Sequence, residues 1–113
     1  MNSPTSDKNR GYIQELLTAY AGRGSSKSEI EKQIIFDTIH DHYQLVYVGW
    51  KNRRRQYGCV LHLDIKDGKI WIQHDGTEIG IANDLVKLGV PKEDIVLAFQ
   101  EPLIRQYTEF AVG

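Results

Sequence analysis

The stretch that decides the fold runs from Arg55 to His74. In Arg55-Gln56-Tyr57-Gly58-Cys59-Val60-Leu61-His62-Leu63-Asp64-Ile65, the residues Tyr57, Cys59, Leu61, Leu63 and Ile65 fall on one side of an extended chain. Gly58, Val60, His62 and Asp64 fall on the other. A period of two is the mark of a strand with one buried face. Lys69-Ile70-Trp71-Ile72-Gln73-His74 repeats it, with Ile70 and Ile72 opposite Trp71 and Gln73. Between the two runs stands Asp67-Gly68, a pair that tolerates positive φ at both positions and so closes a tight hairpin. Upstream, the polar loop Lys51 to Arg54 joins His42-Tyr43-Gln44-Leu45-Val46-Tyr47-Val48-Gly49-Trp50, apolar on both alternating faces, to this hairpin. His40-Asp41 turns the chain back to Gln33-Ile34-Ile35-Phe36-Asp37-Thr38. Strands joined by loops this short are antiparallel, because a parallel partner needs a crossover. The middle of the chain therefore reads as a meander of about four strands.

The flanks are helical. Tyr12, Ile13, Leu16, Leu17 and Tyr20 form one stripe at helical spacing, with Ser6 or Asp7 as the expected cap and Gly22-Arg23-Gly24-Ser25-Ser26 as the stop. Residues 1–6 are expected to form a loose arm. After Asp75-Gly76 the period changes: Ile79, Ala82, Leu85 and Val86 share a helix face, Thr77 is the expected cap, and Gly89 with Pro91 ends the run. Pro91-Lys92-Glu93-Asp94 reads as a single turn. Ile95-Val96-Leu97-Ala98-Phe99 is apolar on every side and fits a strand or a buried helical turn equally. Beyond Pro102 the tail is irregular, with Leu103, Ile104, Tyr107, Phe110 and Val112 expected to pin it to the body. The class is α+β: N-terminal helix, antiparallel sheet of about four strands, second helix, apolar segment and C-terminal tail.

With 113 residues, 41% hydrophobic and 26% charged, the chain is expected to form one domain over residues 1–113. The apolar runs are too short to span a membrane. Met1-Asn2-Ser3-Pro4-Thr5-Ser6 lacks a charged-then-apolar leader, which points to the cytoplasm. The one cysteine, Cys59, excludes an internal disulfide and a multi-cysteine zinc site, and its alternation with Leu61 suggests a small core residue. A net charge of −1 argues against a protein that wraps nucleic acid by bulk charge.

Several groups of residues invite a chemical reading. His40 and His42 would point the same way on an extended segment, as two metal ligands do, although a catalytic metal usually takes three protein ligands; a polar turn explains them as well. His62 and Asp64 share a strand face, and Asp75 follows the next strand, so the three are candidates for general acid–base work. Asp75-Gly76-Thr77-Glu78-Ile79-Gly80 has the outline of an anion-binding strand-to-helix turn, but its acidic residues suit capping better. Lys51, Arg53, Arg54 and Arg55 concentrate positive charge beside Trp50 and Tyr57, as a phosphate-contacting hairpin tip does. Such charges also keep a sheet from pairing with its neighbours. No cofactor is expected. The two-sided apolar strand from Tyr43 to Trp50 implies a partly covered second face, hence self-association or a protein partner.

The chain resembles the XisI-type family of fdxN-element excision controlling factors. The likeness is carried by Asp41-His42-Tyr43-Gln44-Leu45, Val48-Gly49-Trp50 and Tyr57-Gly58-Cys59, and above all by the block from His62 through Trp71-Ile72-Gln73-His74-Asp75-Gly76 to Ala82. It continues through Leu88-Gly89-Val90-Pro91 and the closing Arg105-Gln106-Tyr107-Thr108-Glu109-Phe110-Ala111-Val112. His40 departs from the family pattern. The resemblance implies a compact α+β domain of cyanobacterial origin. It also implies a role in programmed DNA excision during heterocyst development, beside a XisH-type, nuclease-like partner and a separate recombinase. It brings no catalytic residue with it. The resulting expectation is a non-enzymatic accessory protein that binds the XisH-type partner. The alternatives are a DNA-contacting module built on residues 51–55 and a hydrolase or nuclease component using His62, Asp64 and Asp75.

Overall fold

The computed structural model of the chain describes residues 4–24 and 29–113. Its elements are α1 (Pro4–Ala21), β1 (Ile30–Asp37), β2 (His42–Lys51), β3 (Arg54–Lys66), β4 (Lys69–Asp75), α2 (Ile81–Leu88), a 3-10 turn (Lys92–Asp94), β5 (Ile95–Leu97) and α3 (Pro102–Arg105). The sheet order is β1-β2-β3-β4-β5. The first four strands form the antiparallel meander, and β5 lies parallel to β4. The α+β architecture is as expected, with one strand more. The ambiguous apolar segment becomes β5 because α2 supplies the crossover that a parallel strand needs. Both Ile95 and Val96 are fully buried there.

Asp67 and Gly68 take φ of 53° and 75°, the paired left-handed geometry that suits the sheet's twist. The β2–β3 loop is tighter than expected. Lys51 pairs with Arg54, so only Asn52 and Arg53 make the turn, with φ of 52° and 65°. Arg54 and Arg55 therefore belong to β3.

The alternation expected along β3 is broken by a β-bulge. Leu45 faces Leu61 while Val46 faces Cys59, which leaves Val60 unmatched. One extra residue reverses every side chain beyond it. Leu61 and Leu63 thus enter the core, whereas Cys59 and Tyr57 pair with Val46 and Val48 on the opposite face, Tyr57 being 72% exposed.

The core lies between the sheet and the two longer helices. Tyr43, Leu45, Leu61, Leu63, Ile70 and Ile72 come from the sheet; Ile13, Leu17 and Tyr20 come from α1, and Ile81 and Leu85 from α2. α1 begins at Pro4, so the expected arm over residues 1–6 is corrected for its second half, and Ser6 and Asp7 lie inside the helix. The buried stripe includes Ser6 and Asn9, polar positions that a hydrophobic pattern does not register. Met1-Asn2-Ser3 and the linker from Ser25 to Lys27 lie outside the described residues. Arg10 ties α1 to the β1–β2 turn: its Nε and Nη2 donate to Asp41 at 2.6 and 2.9 Å, and Tyr43 Oη donates to the same carboxylate at 2.9 Å. At the other end of α1, Tyr20 Oη donates to Asp84 of α2 at 2.7 Å.

α2 starts at Ile81, later than expected, and leaves Ile79 exposed. It ends at Gly89 with φ 111°, where the Gly89 and Val90 amides donate to Val86 and Leu85. The tail is held differently from the expectation. Leu103, Ile104, Tyr107 and Val112 are exposed, and of the five expected anchors Phe110 alone packs against the core. The anchoring is polar instead. Arg105 donates to the carbonyls of Gln100 and Ala98 and lies over the Trp71 ring, and the Ala111 amide donates to Ile95. Among the described residues, no helix is long and apolar enough to cross a membrane.

Candidate functional site

The two longer helices cover one face of the sheet; the residues that alternate with the core set point to the other. In register, these are Ile35 and Asp37 on β1, His42, Gln44, Val46 and Val48 on β2, Tyr57, Cys59, His62 and Asp64 on β3, and Trp71 on β4, where a second irregularity leaves Gln73 unpaired and sets His74 opposite His62. The C-terminal tail reaches this face at its Trp71 edge, where Val96 bridges to Ala111. The expectation of a partly covered second face is met only there.

One end of the face is polar. His42 stands directly opposite Asp64, and Gln44 opposite His62. His62 and Asp64 are two residues apart on one strand and so project together. The Asp64 Oδ1 atom meets His42 Nδ1 at 2.8 Å and His62 Nε2 at 2.9 Å. Gln73 Nε2 donates to Asp64 Oδ2 at 3.2 Å, and Gln44 Nε2 lies 3.2 Å from His62 Nδ1. The Asp64 carboxylate stabilises the protonated His42 ring and raises its pKa above the ordinary histidine value. A cleft of about 400 Å³ opens here, lined by Ile35, Asp37, His42, Gln44 and His62. Among the described residues this is the one group of three histidine or acidic side chains whose ligand atoms lie within 4.8 Å of one another.

Two sequence candidates stand apart from it. His40 does not join His42, because Asp41 turns with φ 60° and breaks the extended alternation; the His40 ring meets Asp37 at 2.9 Å instead. Asp75 does not join His62 and Asp64. It lies opposite Leu61, and its carboxylate accepts from the Thr77 amide, the Thr77 hydroxyl and the Ile81 amide at 2.9, 2.5 and 2.8 Å. It does the capping expected of Thr77, whose hydroxyl accepts from the Gly80 amide. Gln44 and Gln73 were not singled out from the sequence, since only cross-strand register brings them to the histidine and the acid.

The other end of the face is apolar. Trp50 and Tyr57 are exposed there and Val46, Val48 and Cys59 half-buried, with the exposed Ile35 at the border of the polar cleft. Burial raises the pKa of the Cys59 thiol, and its Sγ donates to the Leu61 carbonyl, so the group is held protonated and unreactive. Beyond this strip the hairpin tip carries Lys51, Arg53, Arg54 and Arg55, all exposed, with the Arg55 guanidinium 5.5 Å from the Trp50 ring centre.

A family model described as XisI protein matches residues 3–112. The chain is similar to the crystal structure of a XisI-like protein from Anabaena variabilis, with 48% identity over 94% of this chain and 97% of that one, at a TM-score of 0.88. It is also similar to the crystal structure of the fdxN element excision controlling factor XisI from the same organism, with 33% identity over 96% of this chain and 99% of that one, at a TM-score of 0.84. A search of curated proteins finds no match.

Proposed function

The chain belongs to the XisI family, and from that premise we propose that it is a non-catalytic accessory factor in programmed DNA excision, acting by docking a XisH-type, nuclease-like partner in the cytoplasm. The observation that carries this reading is the sheet face left uncovered by the helices, with its strip of Val46, Val48, Trp50 and Tyr57 and with Ile35 at its polar border. Large apolar side chains grouped on a rigid sheet and bordered by histidines and arginines have the anatomy of a protein interface: an apolar centre with a polar rim. The strand chemistry falls to the recombinase, and Asp75, the third member of an acid–base set, is engaged in capping α2.

The test is co-purification with the XisH-type protein, followed by size-exclusion chromatography with light scattering at micromolar concentration. A stable complex is expected. Val48→Glu and Tyr57→Glu, both on the open face, should abolish it while leaving the circular dichroism spectrum intact. Absence of a complex refutes the partner, and a complex indifferent to both variants refutes the face. The same measurement on the isolated chain decides self-association through this strip.

A second reading rests on the hairpin tip, where four exposed cations flank Trp50. In it, the accessory factor also contacts DNA phosphates directly. Its signature is binding that weakens with salt at a log–log slope of about −0.9 per phosphate neutralised. Reversing Arg53, Arg54 and Arg55 to Glu should remove it; unchanged DNA binding would exclude the tip.

A further inference from the structure

We propose that His42, His62 and Asp64 form a binding site for a divalent transition-metal ion of the zinc class. The ligand atoms already lie within 4.8 Å of one another, and Asp64 Oδ1 is 2.8 Å from His42 Nδ1 and 2.9 Å from His62 Nε2. Ligand bonds to zinc of about 2.0–2.2 Å in a tetrahedral shell put ligand atoms roughly 3.3 Å apart. Small side-chain rotations therefore convert this hydrogen-bonded cluster into three legs of such a shell. Two imidazoles and one carboxylate favour zinc and its neighbours over magnesium or calcium, which prefer all-oxygen sites.

The surroundings match a metal site as well. Gln73 holds the second oxygen of Asp64 at 3.2 Å, which fixes the carboxylate. Gln44 holds the second ring nitrogen of His62 at 3.2 Å. With its amide turned to present oxygen, Gln44 accepts the Nδ1 proton and leaves Nε2 free to ligate. All five residues sit on paired strands, so little chain entropy is lost on binding. As the ion enters, the proton shared between imidazole and carboxylate leaves to solvent. The cleft of about 400 Å³ leaves the remaining coordination position open to water or to a side chain from outside. The site is a property of the isolated chain and does not depend on the docking reading.

The experiment is calorimetric titration of zinc chloride into chelator-treated protein, paired with visible absorption of the cobalt(II) form. Saturable binding of one ion per chain is expected, with the intense ligand-field bands of four-coordinate cobalt. His62→Ala and Asp64→Asn should each weaken binding more than tenfold, and Gln44→Ala by roughly tenfold. His40→Ala, whose ring is engaged by Asp37, should bind as the parent does, which separates this site from a surface histidine outside it. Unchanged urea midpoints show that the variants are folded. No saturable binding at micromolar zinc, or equal binding by the His62 and Asp64 variants, would overturn the proposal.

Discussion

Replacing Asp75 separates a structural carboxylate from a chemical one. Its two oxygens accept three hydrogen bonds, two from Thr77 and one from the amide of the fully buried Ile81 at the start of α2. A hydrogen bond to a charged group contributes about 1.5–3 kcal/mol, and loss of a helix cap costs typically about 1 kcal/mol. The three bonds share one half-buried carboxylate and do not add. Asp75→Ala should therefore destabilise by about 2–3 kcal/mol, which at roughly 4 °C per kcal/mol lowers Tm by about 10 °C. Asp75→Asn keeps one acceptor oxygen but turns an NH2 toward Thr77 or Ile81, so its cost should be about 1–2 kcal/mol. Urea unfolding reads both as a fall in midpoint at constant m. Hydrogen exchange at the Ile81 amide should quicken in the same order. His62→Ala, which removes a half-exposed open-face side chain, should stay within about 0.5 kcal/mol of the parent. If Asp75→Ala unfolds at the parent's midpoint with Ile81 still protected, the capping assignment is wrong and Asp75 returns as a candidate for chemistry.

Three further outcomes follow from the polar groups around the core. Burial first, and then the Asp41 acceptor, push the Tyr43 hydroxyl up to about 12. The stability it confers is whole below about pH 10, and roughly 2–3 kcal/mol of it is lost as pH rises from 10 to 12, because the unfolded chain ionises first. Alkaline unfolding curves of Tyr43→Phe should be flatter than the parent's; coincident curves would refute this. Asp41 is displaced the other way, its carboxyl held below the usual range chiefly by the Arg10 guanidinium. Its contribution is present above about pH 4 and is lost as pH falls through the lower folded value; Asp41→Asn, which tolerates the positive φ, should remove that acid-side slope. Finally, Arg105→Ala should loosen the segment after Pro102 and leave Trp71 covered by Lys66 without the guanidinium. Faster proteolysis within that segment and a red-shifted tryptophan emission are expected, and an unaltered digest would show that Phe110 against the core and the Ala111 amide on Ile95 hold the tail without Arg105.

Much of the site was legible in the sequence. His42, His62 and Asp64 are apparent as candidates because histidine and aspartate are uncommon between apolar strand residues, and the spacing of His62 and Asp64 puts them on one face. The grouping with Asp75 fails because a carboxylate at the end of a strand has a competing local use: it can turn back and cap the next helix. The pairing of His40 with His42 fails for a related reason, since Asp41 takes a left-handed conformation that no alternation rule anticipates. The burial of Ser6, expected as a cap, and of Asn9 was not legible because burial of polar side chains leaves no hydrophobic signal.

The meander, both helices and the Asp67-Gly68 hairpin were determined by the sequence itself, for they rest on side-chain period and on φ preferences that act over a few neighbouring residues. The tertiary structure alone decided the bulge at Val60, and with it which face Cys59 and Tyr57 occupy. It also decided the parallel docking of β5 and the meeting of His42 with Asp64 across two strands, buttressed by Gln44 and Gln73. The reason is one of range: strand register is set by the packing of the whole sheet against its helices, and a slip of one residue, invisible in local pattern, moves a side chain from the core to the open face.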